Sequence, residues 1–299
     1  MNELSGVIIV NKESGPSSQA VVNRVKRIFG VGKAGHTGTL DPMATGVLPV
    51  LIGRGVKASE FMLTSDKHYR ATLLLGITTD TEDVTGTTLS QSENIPAECE
   101  VISTVKKFVG ESMQTPPMFS ALKVGGKKLY ELARDGKTIE REKRKIIVYS
   151  IECTWINERE YSLDVHCSKG TYIRTLCADI GAALGCGGVM KTLQRCEASG
   201  FLLDEAHTLS ELENMSEDER EAVVVPTERI FEKWKDVLLP DFFSHLAHSG
   251  LELYLKKLGV SFELGERVRL SDKDGFFAIG EVREYEDGLA IKPIRQFVL

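Results

Sequence analysis

Residues 145–185 read KIIVYSIECTWINEREYSLDVHCSKGTYIRTLCADIGAALG. Two β-rich runs, 145–158 and 161–176, follow one another with only a short polar break between them. The second reaches a turn at Gly170 and passes into a helical pattern over 174–185. Long strands that run on before a helix intervenes imply an α+β body with a long mixed sheet flanked by helices, rather than alternating βα units.

The flanking sequence extends that sheet. Downstream, MKTLQRCEASGF (190–201) reads as a strand, and upstream HYRATLLLG (68–76) is a strand leading into the acidic loop TTDTEDVTG (78–86). GVIIVNK (6–12) is a buried first strand. SSQAVVNRVKRIFG (17–30) follows as an amphipathic helix, capped by Ser17 or Ser18, with a stripe of Val21, Val22, Val25, Ile28 and Phe29 and a stop at Gly30. VLPVLI (47–52) is a strand, VKASEFML (56–63) a helix, and a polar helix lies near 97–108. In TPPMFSALKVGGKKLYELARDGK (115–137) two prolines force an extended entry and the end closes as a helix at Gly136. The segment 204–236 is acidic, helical and linking. Beyond Pro240 short alternating strands with Gly and Asp turns suggest a small separate β-barrel of about sixty residues. The expected domains are 1–238 and 239–299.

The chain has 299 residues, 42% hydrophobic and 27% charged, as in ordinary globular proteins. The N-terminus carries an early acidic residue and a short apolar run, against a secretory signal, and no stretch approaches the ~18 apolar residues of a membrane span. The six cysteines form no CxxC pair and read as reduced thiols of a cytoplasmic protein. A net charge of -6 conceals an asymmetry. Residues 1–60 hold seven Lys/Arg against four Asp/Glu, and residues 120–149 hold nine against four, whereas residues 201–240 hold four against eleven. Two basic regions and one acidic segment are compatible with a nucleic-acid partner.

GVGKAG (30–35) matches a dinucleotide-binding pattern but follows a helix instead of a strand, so the match is discounted. HExxH, GxSxG and P-loop patterns are absent, and the histidines are scattered. The unusual segment is GHTGTLDPMATGVLP (35–49), a constrained loop around a single carboxylate, Asp41. Asp-Pro steps often merely start turns. Here Gly35 and Gly38 would let the backbone approach something closely, and the threonine hydroxyls could fix the loop. KHYR contains Tyr69, and SKGTYIRT places Tyr172 and Arg174 two apart, on one face if that segment is extended. An arginine facing the lone carboxylate would hold it ionised and oriented, and a tyrosine could stack on a flat ring.

The loop resembles the signature of the TruB family of bacterial tRNA pseudouridine-55 synthases. GVIIVNKESGPSSQAVVNRVKRIFG, KHYRATLLLGITTDTEDVTG, PPMFSALKVGGKKLYELARDG, CSKGTYIRTLCADIG and MKTLQRCEASGF are similar to that family's segments, in its order. The C-terminal strands resemble its appended PUA domain, an RNA-binding module. The resemblance implies isomerisation of uridine-55 in the T arm of tRNA to pseudouridine, with base flipping and without a metal or organic cofactor. It casts Asp41 as nucleophile, attacking either carbon-6 of uracil or carbon-1′ of ribose. Arg174 would pair with it, and Tyr69 would stack on the uracil and assist proton removal. Tyr172 and Leu193 would line the pocket, and His36 would enter the RNA and fill the vacated stack. Lys12, Lys57 and the basic clusters 24–33 and 123–145 would meet phosphates. Asp83 would lie near the cleft, with Asp80 and Glu82 as competitors. The implied partner is tRNA, its acceptor end touching the C-terminal module, and the implied state is a cytoplasmic monomer with no membrane contact. A non-catalytic RNA-binding or tRNA-folding protein fits the basic patches equally well but has no need of Asp41 with Arg174. A glycosidic hydrolase would deploy two carboxylates about 5–9.5 Å apart, and the sequence offers no evident second acid beside Asp41.

Overall fold

The computed structural model describes residues 4–63 and 65–298. Residues 1–3, 64 and 299, which the two expected domain ranges include, lie outside it. The large sheet is built from β1 (Gly6–Lys12), β2 (Ala34–His36), β3 (Thr45–Ile52), β4 (Lys67–Leu75), β5 (Gly110–Gln114), β6 (Arg144–Asn157), β7 (Glu160–Cys167), β8 (Gly188–Ala198) and β9 (Phe201–Leu202). The strand order is β1-β3-β8-β4-β7-β6-β5, with β2 on β3 and β9 on β8. Every pairing is antiparallel except β8 with β3, where Gln194 and Arg195 face Thr45 and Gly46. That one parallel contact sets the strand after the Asp41 loop beside the strand that carries Leu193.

α1 (Ser18–Ile28) starts where the Ser17 hydroxyl accepts the Ala20 N–H, and it buries Val21, Val22 and Val25. β1 reads as an unbroken apolar run because both of its faces are covered. Ile8 and Val10 join the main core, while Val7 and Ile9 join a second cluster with Val47, Leu51 and Phe201. The outer edge of β1 is capped by backbone bridges from Val7 to Val225 and from Val10 to His207. The acidic segment therefore does more than link. It folds into short helices, covers an otherwise open edge, and buries Leu212 in the main core. The stretch expected as a helix over 56–63 is a 3-10 turn over Gly53–Ala58 followed by the short helix Ser59–Met62.

The C-terminal module contains β10 (Asp236–Leu238), β11 (Leu253–Tyr254), β12 (Arg267–Asp272), β13 (Gly275–Tyr285) and β14 (Gly288–Gln296), in the order β10-β12-β13-β14-β11. Its first strand begins at Asp236. Among the described residues the sheet does not close on itself, so it is a curled half-barrel in place of the expected barrel. Its own core holds Val268, Leu270, Phe277 and Ile291. A further cluster of Ala58, Phe231, Ile279 and Phe297 joins it to the large sheet.

Candidate active site

The Asp41 loop is held from beneath. Lys12 is wholly buried, and its Nζ donates to the carbonyls of Glu13 (2.9 Å), Pro42 (2.9 Å) and Ala44 (2.7 Å). Ser18 Oγ accepts the Leu40 N–H at 2.8 Å and donates to the Leu40 carbonyl at 2.9 Å. Of the loop threonines, Thr45 Oγ1 donates to the Leu193 carbonyl at 3.4 Å. Thr37 Oγ1 is buried with no hydrogen-bond partner among the described residues. Lys12 is thereby corrected from a phosphate contact to a structural lysine, because an ammonium with all three N–H groups bonded inside the fold cannot reach RNA. Burial pulls its pKa down to about 8 against the attraction of Asp41.

Arg174 is 4% exposed and spends its guanidinium on this loop and two others. Nε donates to Asp41 Oδ2 at 2.9 Å and Nη2 to Asp41 Oδ1 at 3.3 Å, a two-pronged pair across the carboxylate. Nη1 donates to the Thr81 carbonyl at 2.9 Å and Nη2 to the Phe119 carbonyl at 2.7 Å. Tyr172 and Arg174 do not share an extended segment as expected. Tyr172 is the N-cap of α2 (Ile173–Ala183) and Arg174 lies in its first turn. Gln114 fixes that helix start, accepting the Tyr172 N–H at 2.8 Å and donating to the Tyr172 carbonyl at 3.1 Å.

Asp41, Tyr69, Tyr172, Arg174 and Leu193 line one cavity of about 350 Å³. Tyr69 projects from β4, and burial pushes its phenol up while the charge of Arg195 and a hydrogen bond from it pull back. Burial likewise raises Tyr172. Asp83 is buried just behind the arginine, its Oδ2 3.8 Å from Arg174 Nε, and its other oxygen accepts from Thr81 Oγ1, Thr85 N and Thr85 Oγ1. Asp83, which the family resemblance puts near the cleft, is thus an acidic companion of Asp41 on the same arginine. Of the two competitors, Asp80 accepts the Thr87 N–H, and Glu82 takes the Thr175 hydroxyl from a left-handed backbone (φ 63°). Such strain in a non-glycine residue clusters at sites that other contacts over-determine.

Besides Lys12 and Asp83, two more predicted residues lie outside the cavity lining. His36 ends β2, partly buried, with Nδ1 lacking a partner among the described residues, and burial lowers its pKa. Lys57 is exposed, and one N–H of its Nζ is donated to the Gln296 carbonyl of β14 at 2.9 Å, which sets it beside the C-terminal module. Within the basic clusters Arg24 is paired with Glu213 of the acidic segment.

The cavity also contains residues not anticipated. Arg195 is 1% exposed, and donates to the carbonyls of Val47 (2.8 Å) and Gly38 (3.1 Å), binding β8 to both ends of the Asp41 loop. Lys67 and Ser120 line the cavity as well. Arg195 and Lys67 were legible by alternation. Each sits two residues from a residue assigned to the pocket, Leu193 or Tyr69, on the same inward face, where a cation needs a reason to be.

Comparison with known proteins places the chain among named relatives. Family models described as the TruB family pseudouridylate synthase N-terminal domain and the tRNA pseudouridylate synthase B C-terminal domain match residues 26–173 and 174–232. The chain is 42% identical over 281 residues to tRNA pseudouridine synthase B of Francisella tularensis subsp. novicida, covering 93% of this chain and 91% of that one. It is 42% identical over 282 residues to the protein of the same name from Alkaliphilus oremlandii, covering 94% of each. Among solved structures it resembles a chain of a Cbf5-Nop10-Gar1 complex, with a TM-score of 0.72, 27% identity and coverage of 98% of this chain and 85% of the other. A chain of an H/ACA RNP bound to a substrate RNA containing 2'-deoxyuridine gives a TM-score of 0.73 at 25% identity, with the same coverage.

Proposed function

The chain belongs to the TruB family of pseudouridylate synthases, and from that premise we propose how its cavity serves the reaction. The protein is an isomerase that converts uridine in tRNA to pseudouridine. The target we assign is uridine-55 of the T arm, with a monomer acting in the cytoplasm and residues 239–299 serving as a PUA-like module near the acceptor end.

The observation that carries the reading is the two-pronged Asp41–Arg174 pair in a cavity walled by Tyr69, Tyr172 and Leu193. A cavity of about 350 Å³ suits one nucleotide and not a duplex, so the base must leave its stack, at a cost of a few kcal/mol. His36, flat and with its pKa lowered, is suited to fill the gap as a neutral ring. With the uracil inside, the N1–C1′ bond breaks, the ring turns, carbon-5 bonds to C1′, and the carbon-5 proton leaves while N1 regains one. The product is an isomer, so no atom need be supplied. Asp41 is the nucleophile, aimed by Arg174. Tyr69 presents a phenol that burial keeps protonated, which supports stacking on the ring more than removal of the proton. Asp83 adds a second carboxylate 3.8 Å from Arg174 Nε.

The test is conversion of unmodified tRNA, read by carbodiimide mapping. Asp41→Asn is expected to abolish conversion while tRNA binding stays within about twofold. Retained turnover in that variant would remove Asp41 from the mechanism. A binding protein without chemistry would give no pseudouridine even with the unaltered chain.

A further inference from the structure

Four charged side chains line the cavity, Asp41, Lys67, Arg174 and Arg195. Both arginines are committed, Arg174 to Asp41 and two carbonyls and Arg195 to two carbonyls. Lys67 differs. It opens β4, is 8% exposed, and its Nζ has one hydrogen-bond acceptor among the described residues, the Ser65 carbonyl. An ammonium has three N–H groups, so two are left without an acceptor among the described residues, at the cavity wall.

Lys12 supplies the contrast. Burial pulls both lysines down to about 8, yet Lys12 has three carbonyl acceptors and does not line the cavity. Its charge is explained by the loop it holds. Nothing within the fold accounts for Lys67 in that way. The groups around it are Arg195 and Lys169, both positive, the buried Cys167 thiol, itself pushed up to about 12, and the exposed Asp66, which accepts from Tyr149 Oη at 3.1 Å. A nearly buried cation beside two others is costly unless an anion joins it.

Position identifies the anion. Lys67 and Tyr69 are two residues apart on one strand, about 6.6 Å along it and on the same face. That is comparable to the reach from a base to the phosphate of its own nucleotide. We propose that Lys67 binds the phosphodiester flanking the target nucleotide once its base has entered the cavity, and so positions that nucleotide over Asp41. The inference rests on the T-arm reading above.

The test uses a T-arm RNA hairpin carrying a neutral methylphosphonate on the 5′ or the 3′ side of the target uridine. With the native enzyme one of the two linkages is expected to lower kcat/KM by about tenfold to a hundredfold, the worth of a charge-assisted hydrogen bond. Lys67→Gln should show the same loss on the all-phosphate hairpin and little further loss at the sensitive linkage, while Lys67→Arg recovers most of it. Turnover equal to the native enzyme's in Lys67→Gln, or full additivity of the two losses, would overturn the proposal. Should Lys67→Gln melt without folding, the native series decides: no sensitivity at either linkage refutes it. If the native enzyme fails to convert the all-phosphate hairpin, the T-arm assignment falls first and this proposal with it.

Discussion

Gly46→Ala perturbs the site through the backbone alone. Gly46 lies in β3 at φ +100°, opposite Arg195 in the one parallel pairing of the large sheet. A Cβ there would stand 2.2 Å from the Arg195 carbonyl oxygen, 2.8 Å from its nitrogen and 2.9 Å from its carbonyl carbon. These are backbone atoms of the neighbouring strand and cannot swing aside, so β3 and β8 must separate by roughly 1 Å, in an interior with almost no free space. The backbone strain costs about 1–3 kcal/mol and the overpacking about 1–3 kcal/mol more. For a chain of this size that predicts a melting temperature lower by roughly 5–20 °C. Because β8 carries Leu193 and Arg195 while β3 follows the Asp41 loop, the same displacement should lower turnover about a hundredfold. Gly15→Ala is the matched control. Gly15 has φ +115°, but no described atom lies within 4 Å of its added Cβ, so it bears the strain without the collision. Differential scanning calorimetry and carbodiimide mapping on both variants read the difference. If Gly46→Ala melts within about 2 °C of Gly15→Ala and turns over like the native protein, strand separation is not what this glycine prevents.

Two further predictions concern pH and the junction between sheets. Lys12 and Lys67 have folded pKa values lowered to about 8, so above pH 8 the unfolded chain binds more protons than the folded one, and stability rises with pH. Cys153 and Cys167, raised to about 11 and about 12, and the fully buried Cys177, raised further by burial, act oppositely once unfolded thiols ionise near pH 9, and three thiols outweigh two lysines there. The melting temperature should therefore peak near pH 9, and a steady fall from pH 7.5 to 10 would contradict the burial of those lysines. Phe231, 1% exposed, packs against Phe61, Trp234, Phe276 and Phe297 with ring centres 5.0–5.9 Å apart. Phe231→Ala should cost about 3–5 kcal/mol. Hydrogen exchange should quicken first in β12–β14, and unchanged protection there would mean that the modules do not depend on this cluster.

The local elements were legible because their signals are local. The cap at Ser17, the alternation of β4 and the run of β6 and β7 each declare themselves within a dozen residues, and the structure has them close to those places. The open half-barrel was not legible, since closure depends on which edge strands find each other. In the site, Asp41, Tyr69, Tyr172, Arg174 and Leu193 meet in one cavity, whereas Lys12 and Lys57 lie elsewhere. The difference is physical. A lysine in a sequence reads the same whether its amine faces water, a carbonyl or a phosphate, and only the fold supplies the acceptors.

The same reasoning explains why Asp41 looked solitary. Its arginine lies 133 residues away in sequence, and the second carboxylate on that arginine comes from the loop after β4. Arg174 touches that loop twice, through Asp83 and through the Thr81 carbonyl, and reaches the entry to the 115–137 segment through the Phe119 carbonyl. One cation thus fixes three loops drawn from distant parts of the chain. Asp83 has its own N–H and hydroxyl donors and so remains anchored without Arg174, whereas the Asp41 side chain lines the cavity, is 33% exposed, and has Arg174 as its only ion-pair partner among the described residues. The two carboxylates share an arginine without sharing a role: the enclosed one steadies the guanidinium, and the open one is left facing the space where a base would sit.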